Sequence, residues 1–89
     1  MKTVRLKITG KVQGVFFRAS AKDIAERYMI SGWIRNTTDD KVEAIVTGNE
    51  PDVERFIEWC KDGPEKAVVM QVEIIDEPLQ VFERFNILR

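Results

Sequence analysis

The chain has 89 residues, with 14 Lys and Arg against 15 Asp and Glu, a formal net charge of −1, one cysteine and no histidine. A chain this short is expected to form one domain, residues 1–89, burying roughly 60–65% of its unfolded surface, and its near-neutral balance carries no electrostatic footprint for nucleic acid. No apolar run is long enough for a bilayer, the start Met1-Lys2-Thr3-Val4-Arg5 lacks a signal peptide's apolar region, and the lone Cys60 cannot form an internal disulfide, which fits a reducing cytoplasm.

The alternation of Val4, Leu6 and Ile8 predicts a half-buried strand over Val4 to Thr9. A helical pattern follows from Phe17 to Tyr28, with Phe17, Ala21, Ile24, Ala25 and Tyr28 on one face. Between them the chain must turn sharply, and Gly14 has no Cβ to forbid a positive φ. Consecutive N–H groups in such a turn, backed by a helix N-terminus, form a cradle for an anion. Arg18 in the first helical turn adds a planar fork of donors suited to a phosphoryl group. Glycines at strand-to-helix junctions are common, however, and an arginine in a first turn is often merely solvated. The segment Gly10 to Arg18 alone leaves both readings open.

Strands near Trp33 to Thr37 and Val42 to Thr47 read as a hairpin around the polar turn Thr38 to Lys41. Asn49 or Glu50 then stands before Pro51, which is suited to the first position of a second helix. There Val53, Phe56, Ile57 and Cys60 recur at i, i+3, i+4 and i+7, so Cys60 reads as a small core residue. Trp33 and Trp59 read as packing residues, with Trp59 half exposed. Glu50, Asp52, Glu54 and Glu58 read as a solvated face. Gly63-Pro64 stops the helix, and strands follow near Ala67 to Ile75 and Arg84 to Leu88. The order β-α-β-β-α-β plus a short C-terminal strand predicts an α+β, ferredoxin-like α/β sandwich with two helices on one face of a mostly antiparallel sheet.

Two segments carry a more specific likeness. Gly10-Lys11-Val12-Gln13-Gly14-Val15-Phe16-Phe17-Arg18 resembles the first signature of the acylphosphatase family. Gly32-Trp33-Ile34-Arg35-Asn36-Thr37, followed by Val42-Glu43-Ala44, resembles the second. Gly63-Pro64, Ala67, Val69, Val72, Glu77-Pro78 and the closing Phe85 to Ile87 also follow the family pattern, so the resemblance runs along essentially the whole chain. It implies that Arg18 binds phosphate and that Asn36 orients the attacking water; the N–H groups of Gln13, Gly14, Val15, Phe16, Phe17 and Arg18 in the turn would cradle the same phosphate. Thr37 would support the asparagine from behind. Two positions depart from the pattern, because Met29 and Asp40 stand where glycine is usual. If the backbone there is left-handed, Met29 is strained by roughly 1 kcal/mol, whereas aspartate tolerates that conformation better.

The inventory of reactive side chains is consistent with that activity. Without histidine, no imidazole can act as base or metal ligand, and one cysteine does not make a zinc site. Ser20 has no partner base in the sequence, so covalent catalysis has little support. A reaction run this way needs a good leaving group and a charge that only has to be held. An acyl phosphate fits, because its carboxylate leaves with a conjugate-acid pKa of about 4 and phosphoryl transfer relies chiefly on positioning and electrostatics. Strand alternation turns Arg35 away from Asn36, so Arg35 is expected at the surface. The expected protein is thus a monomeric, cytoplasmic, metal-independent hydrolase without a cofactor. Its partners would be a small acyl phosphate and inorganic phosphate, with no nucleic acid and no membrane. A non-catalytic ferredoxin-like binding module is the competing class, since the scaffold hosts many functions. No strand shows the paired aromatics of an RNA-stacking platform. A domain of a larger carbamoyl-transfer maturation protein is a third reading, weakened because no zinc-binding cysteine pairs follow before Arg89.

Overall fold

The alternation of the first strand decides which face of the sheet is buried. In the computed structural model, which describes residues 1–89, β1 (Lys2–Lys11) lies between two antiparallel neighbours. Val4, Leu6 and Ile8 are fully buried on one side and sit opposite Val46, Ala44 and Val42 of a second strand. The remaining elements are α1 (Phe17–Arg27), β2 (Ser31–Asn36), β3 (Val42–Gly48), α2 (Glu50–Asp62), β4 (Val68–Glu77) and β5 (Phe85–Ile87). The sheet order is β4-β1-β3-β2-β5, antiparallel throughout except that β5 runs parallel to β2. This is the expected ferredoxin-like α+β fold.

Both helices give their apolar stripe to the same core. Phe17, Ala21 and Ala25 of α1 and Val53, Phe56, Ile57 and Cys60 of α2 join the buried strand residues and Phe85 in one cluster. Aromatic rings tie the layers together: Phe17 lies 5.4 Å from Trp59, and Phe56 lies 5.9 Å from Phe85, both tilted. Such pairs add about 0.5–1.5 kcal/mol beyond simple burial. Asn49 precedes α2 in an extended conformation with Pro51 in the first turn, and Gly63 at φ 69 ends it, as the stop signal predicts. Burial pushes the Cys60 thiol well above its ordinary range, in keeping with a packing role.

The structure differs from the sequence pattern at the sheet edges. β1 begins two residues earlier and ends two later than its alternation predicts, because hydrogen-bonded neighbours on both sides extend it. β2 starts at Ser31 rather than Trp33 and ends on Asn36. β4 is an edge strand with β1 as its only neighbour, so Val68, Met70, Ile74 and Ile75 stay exposed and only Val69 and Val72 pack against the core. A bulge opposite Thr9 and Gly10 leaves Met70 unpaired.

The face without helices carries a charged ladder. Glu43 is buried on β3 and accepts hydrogen bonds from Arg5 of β1 and from Arg35 of β2, the latter at 2.6 and 2.9 Å, while Arg5 also reaches Glu77 at 3.1 Å. Burial pushes the Glu43 carboxyl up, but the two arginines outweigh it and hold it below the ordinary carboxylate range. The Arg35 guanidinium also sits 5.6 Å from the Trp33 ring centroid. Arg35 is therefore half exposed as expected, yet anchored to the ladder and turned away from Asn36.

Candidate active site

The turn between β1 and α1 leaves its backbone donors free. Gly14 adopts φ 72, and Phe16, at the N-cap, adopts φ 63, a left-handed conformation rare for a bulky residue. Val15 between them is buried in the core and anchors the turn. No side chain caps α1, and its first helical bond runs from the Ser20 N–H to the Phe16 carbonyl at 3.0 Å. The N–H groups from Gly14 to Ala19 consequently have no partner within the chain. Six consecutive unpaired donors at a helix N-terminus make a strongly anion-attracting surface.

These residues border a cavity of about 600 Å³. Gly14, Phe16, Phe17, Arg18 and Ala19 line one part of it, Val12 lies just past the end of β1, and Asn36 lines it from the last position of β2. Adjacent Phe16 and Phe17 part company: Phe17 is buried, and Phe16 is 77% exposed. The Asn36 Oδ1 is buried and has no hydrogen-bond partner in the protein. A buried polar atom left unpaired beside a cavity marks a place where the fold forgoes stability for another purpose.

Not every predicted residue reaches the cavity. Gln13, Val15 and Thr37 do not line it. The Gln13 side chain instead crosses to the hairpin, where its Nε2 donates to the carbonyls of Thr37 and Lys41, both at 2.9 Å. It thereby ties the turn that carries the free N–H groups to the hairpin that carries Asn36. The Thr37 hydroxyl makes no bond to Asn36, which corrects the expected support. It donates to Asp39 and accepts from the Lys41 N–H at 3.0 Å, so it closes the hairpin turn instead. Asp40 in that turn and Met29 after α1 adopt φ 66 and φ 57, the left-handed conformations where glycine is usual. Sequence reasoning missed Ile87 and Arg89, which complete the cavity. The signal was the two-residue period of the last strand, unreadable until β5 is known to pair with β2.

With a cavity built of unpaired N–H groups, an arginine and an amide, likeness to known proteins becomes informative. The model of the acylphosphatase family matches residues 4–87. The chain belongs to the acylphosphatase family. It is a hydrolase of the class that acts on acyl phosphates. An acylphosphatase from Pyrobaculum islandicum is 49% identical over 92 aligned positions, covering 99% of this chain and 97% of the relative. The crystal structure of the Bacillus subtilis acylphosphatase superimposes with a TM-score of 0.96 at 30% identity, with all of both chains covered. Full-length HypF, in a phosphate- and nucleotide-bound form, contains a similar unit: TM-score 0.89 at 27% identity, covering 99% of this chain and 12% of that one. This acylphosphatase thus matches relatives of its own length as well as one unit of a much longer protein.

Proposed function

We propose that this acylphosphatase holds the phosphoryl group of a small acyl phosphate with Arg18 and the N–H groups of the 13–18 turn, and that Asn36 holds the attacking water. The observation that carries the proposal is the unpaired N–H run from Gly14 to Ala19, five of whose six residues line one cavity together with Asn36. A phosphoryl dianion would satisfy those donors, and Arg18 would add charge-assisted bonds to its equatorial oxygens. The Asn36 amide has both a donor and an acceptor with which to orient a water. That water attacks phosphorus as the bond from phosphorus to the acyl oxygen breaks. The carboxylate leaves unprotonated, and the water's proton goes to the phosphate product or to solvent.

No acidic or thiol side chain lines the cavity, so the proton passes to phosphate or solvent rather than to a protein base. Among all Cys, Asp and Glu of the chain, no three stand close enough to hold a metal ion, and catalysis without a metal is part of the proposal. We further propose a single 89-residue domain acting as a monomer in the cytoplasm, on small molecules rather than nucleic acids or membranes. The match to the Pyrobaculum islandicum relative over 97% of that relative's length supports the first of these.

Hydrolysis of benzoyl phosphate in EDTA by wild type, Arg18→Ala and Asn36→Ala tests the assignment. Wild type should turn over, and each folded variant should lose about 10²-fold or more in kcat/KM. Unimpaired Asn36→Ala would remove the water from that side chain. An inactive, folded wild type would favour a non-catalytic binding module.

A further inference from the structure

β1 and β3 separate before they reach the site. Their ladder ends at the pair Ile8 and Val42, after which β1 runs on to Lys11 with β4 as its sole neighbour. The turn with the free N–H groups follows that one-sided end, whereas Asn36 closes β2 opposite Val42, the first residue of β3. Outside the helices and strand ladders, only two hydrogen bonds join residues 12–19 to residues 36–41, and both come from Gln13.

The Gln13 Nε2 carries two hydrogens, and two carbonyls receive them, those of Thr37 and Lys41 at 2.9 Å each. Thr37 follows Asn36 directly, and Lys41 precedes its ladder partner Val42. The Thr37 N–H also donates to the Lys41 carbonyl at 2.9 Å. The amide therefore grips both strands of the hairpin just beyond the last ladder pair, where Asn36 stands. Gln13 itself adjoins Gly14, the first of the unpaired donors. One side chain so fixes the separation between the two groups the reaction requires, the phosphate cradle and the amide that aims the water. In-line attack tolerates little error, since a misplacement of about 1 Å costs on the order of 10²-fold in rate.

We propose that Gln13 is a positioning residue for the reaction: its amide sets the distance and angle from the phosphoryl group to the water held by Asn36. This rests on the roles of Arg18, the turn N–H groups and Asn36 proposed above. The test is a double-mutant cycle on benzoyl phosphate with wild type, Gln13→Met, Asn36→Ala and the double variant. Methionine keeps the length of glutamine and has no donor to offer. Gln13→Asn, whose amide is one methylene short of both carbonyls, is the second probe should Gln13→Met not fold. Each folded protein is assayed for kcat, KM and the inhibition constant of inorganic phosphate, and its urea midpoint is recorded.

Gln13→Met should lower kcat by about 10- to 100-fold, and Gln13→Asn by at least about fivefold. Phosphate inhibition should stay within about threefold, because the N–H cradle and Arg18 are untouched. In the Asn36→Ala background the same change should lower kcat by less than about threefold, since no water-holding amide is left to misplace. A lowered urea midpoint with an unchanged kcat would make Gln13 purely structural, and would overturn its positioning role while sparing the phosphoryl assignment. A kcat loss that persists in full without Asn36, or that comes with a matching loss of phosphate inhibition, would also overturn it, because Gln13 would then shape the phosphate cradle itself. Asn36→Ala with a wild-type kcat would overturn the water assignment and the role of Gln13 together, since Gln13 would have nothing to place.

Discussion

Replacing Asn36 with alanine should raise stability while it lowers activity. The Asn36 Oδ1 is buried without a partner in the protein, and an unsatisfied buried acceptor costs about 1–3 kcal/mol. A water held at the amide would recover part of that, at up to about 2 kcal/mol of lost freedom. The backbone pairing of Asn36 with Val42 is untouched by the truncation, and the side chain is only partly buried at the cavity wall, so little packing is lost. The expected net effect is a gain of about 1 kcal/mol, worth about 4–8 °C in Tm for a domain of this size. Ile34→Ala, two residues earlier on the same side of the strand and wholly buried, should instead cost about 2–5 kcal/mol. Urea unfolding of both variants in phosphate-free buffer is the assay, because bound phosphate would stabilise wild type by about 2.7 kcal/mol at a hundred times its Kd and mask the difference. A loss of 1 kcal/mol or more in Asn36→Ala would refute the reasoning. It would mean that the amide is held by the fold rather than held ready for a ligand.

Met29→Gly and Asp40→Gly should each raise the unfolding free energy by up to about 1 kcal/mol. Both residues are exposed in left-handed conformations that only glycine adopts freely, and a lowered urea midpoint in either would count against the strain. Gly32→Ala should destabilise by about 3 kcal/mol or more or prevent folding, since a Cβ there would strike the Ile45 carbonyl and φ is 137. A wild-type melting temperature in that variant would refute it. The lowered pKa of Glu43 makes its contribution to stability complete above the ordinary carboxyl value of 4.5, and lost as pH falls through the lower folded value. Unfolding curves between pH 5 and acid should therefore fall more steeply for wild type than for Glu43→Gln, and parallel curves would remove the ladder from the account.

The cavity shows where legibility began and ended. Gly14 announced a turn because its position between a two-residue and a 3.6-residue pattern demands a positive φ, and φ 72 meets that demand. The turn chemistry at Met29 and Asp40 was visible as departures from glycine, and both backbones are left-handed. Gln13 and Thr37 were assigned to the site by position, yet their side chains build the frame around it, because a motif fixes where the chain runs and not which way a side chain bonds.

Local physics determined most of the architecture before any contact was known. The period of Val4, Leu6 and Ile8, the stripe from Val53 to Cys60, and proline and glycine at the ends of α2 each act over a few residues, so they are written in the sequence. The tertiary structure alone decided that β4 is an exposed edge and that β5 pairs in parallel with β2, bringing Arg89 level with Asn36. Those outcomes depend on which strands become neighbours, a choice made by burying all the apolar faces at once, and no segment carries that information by itself.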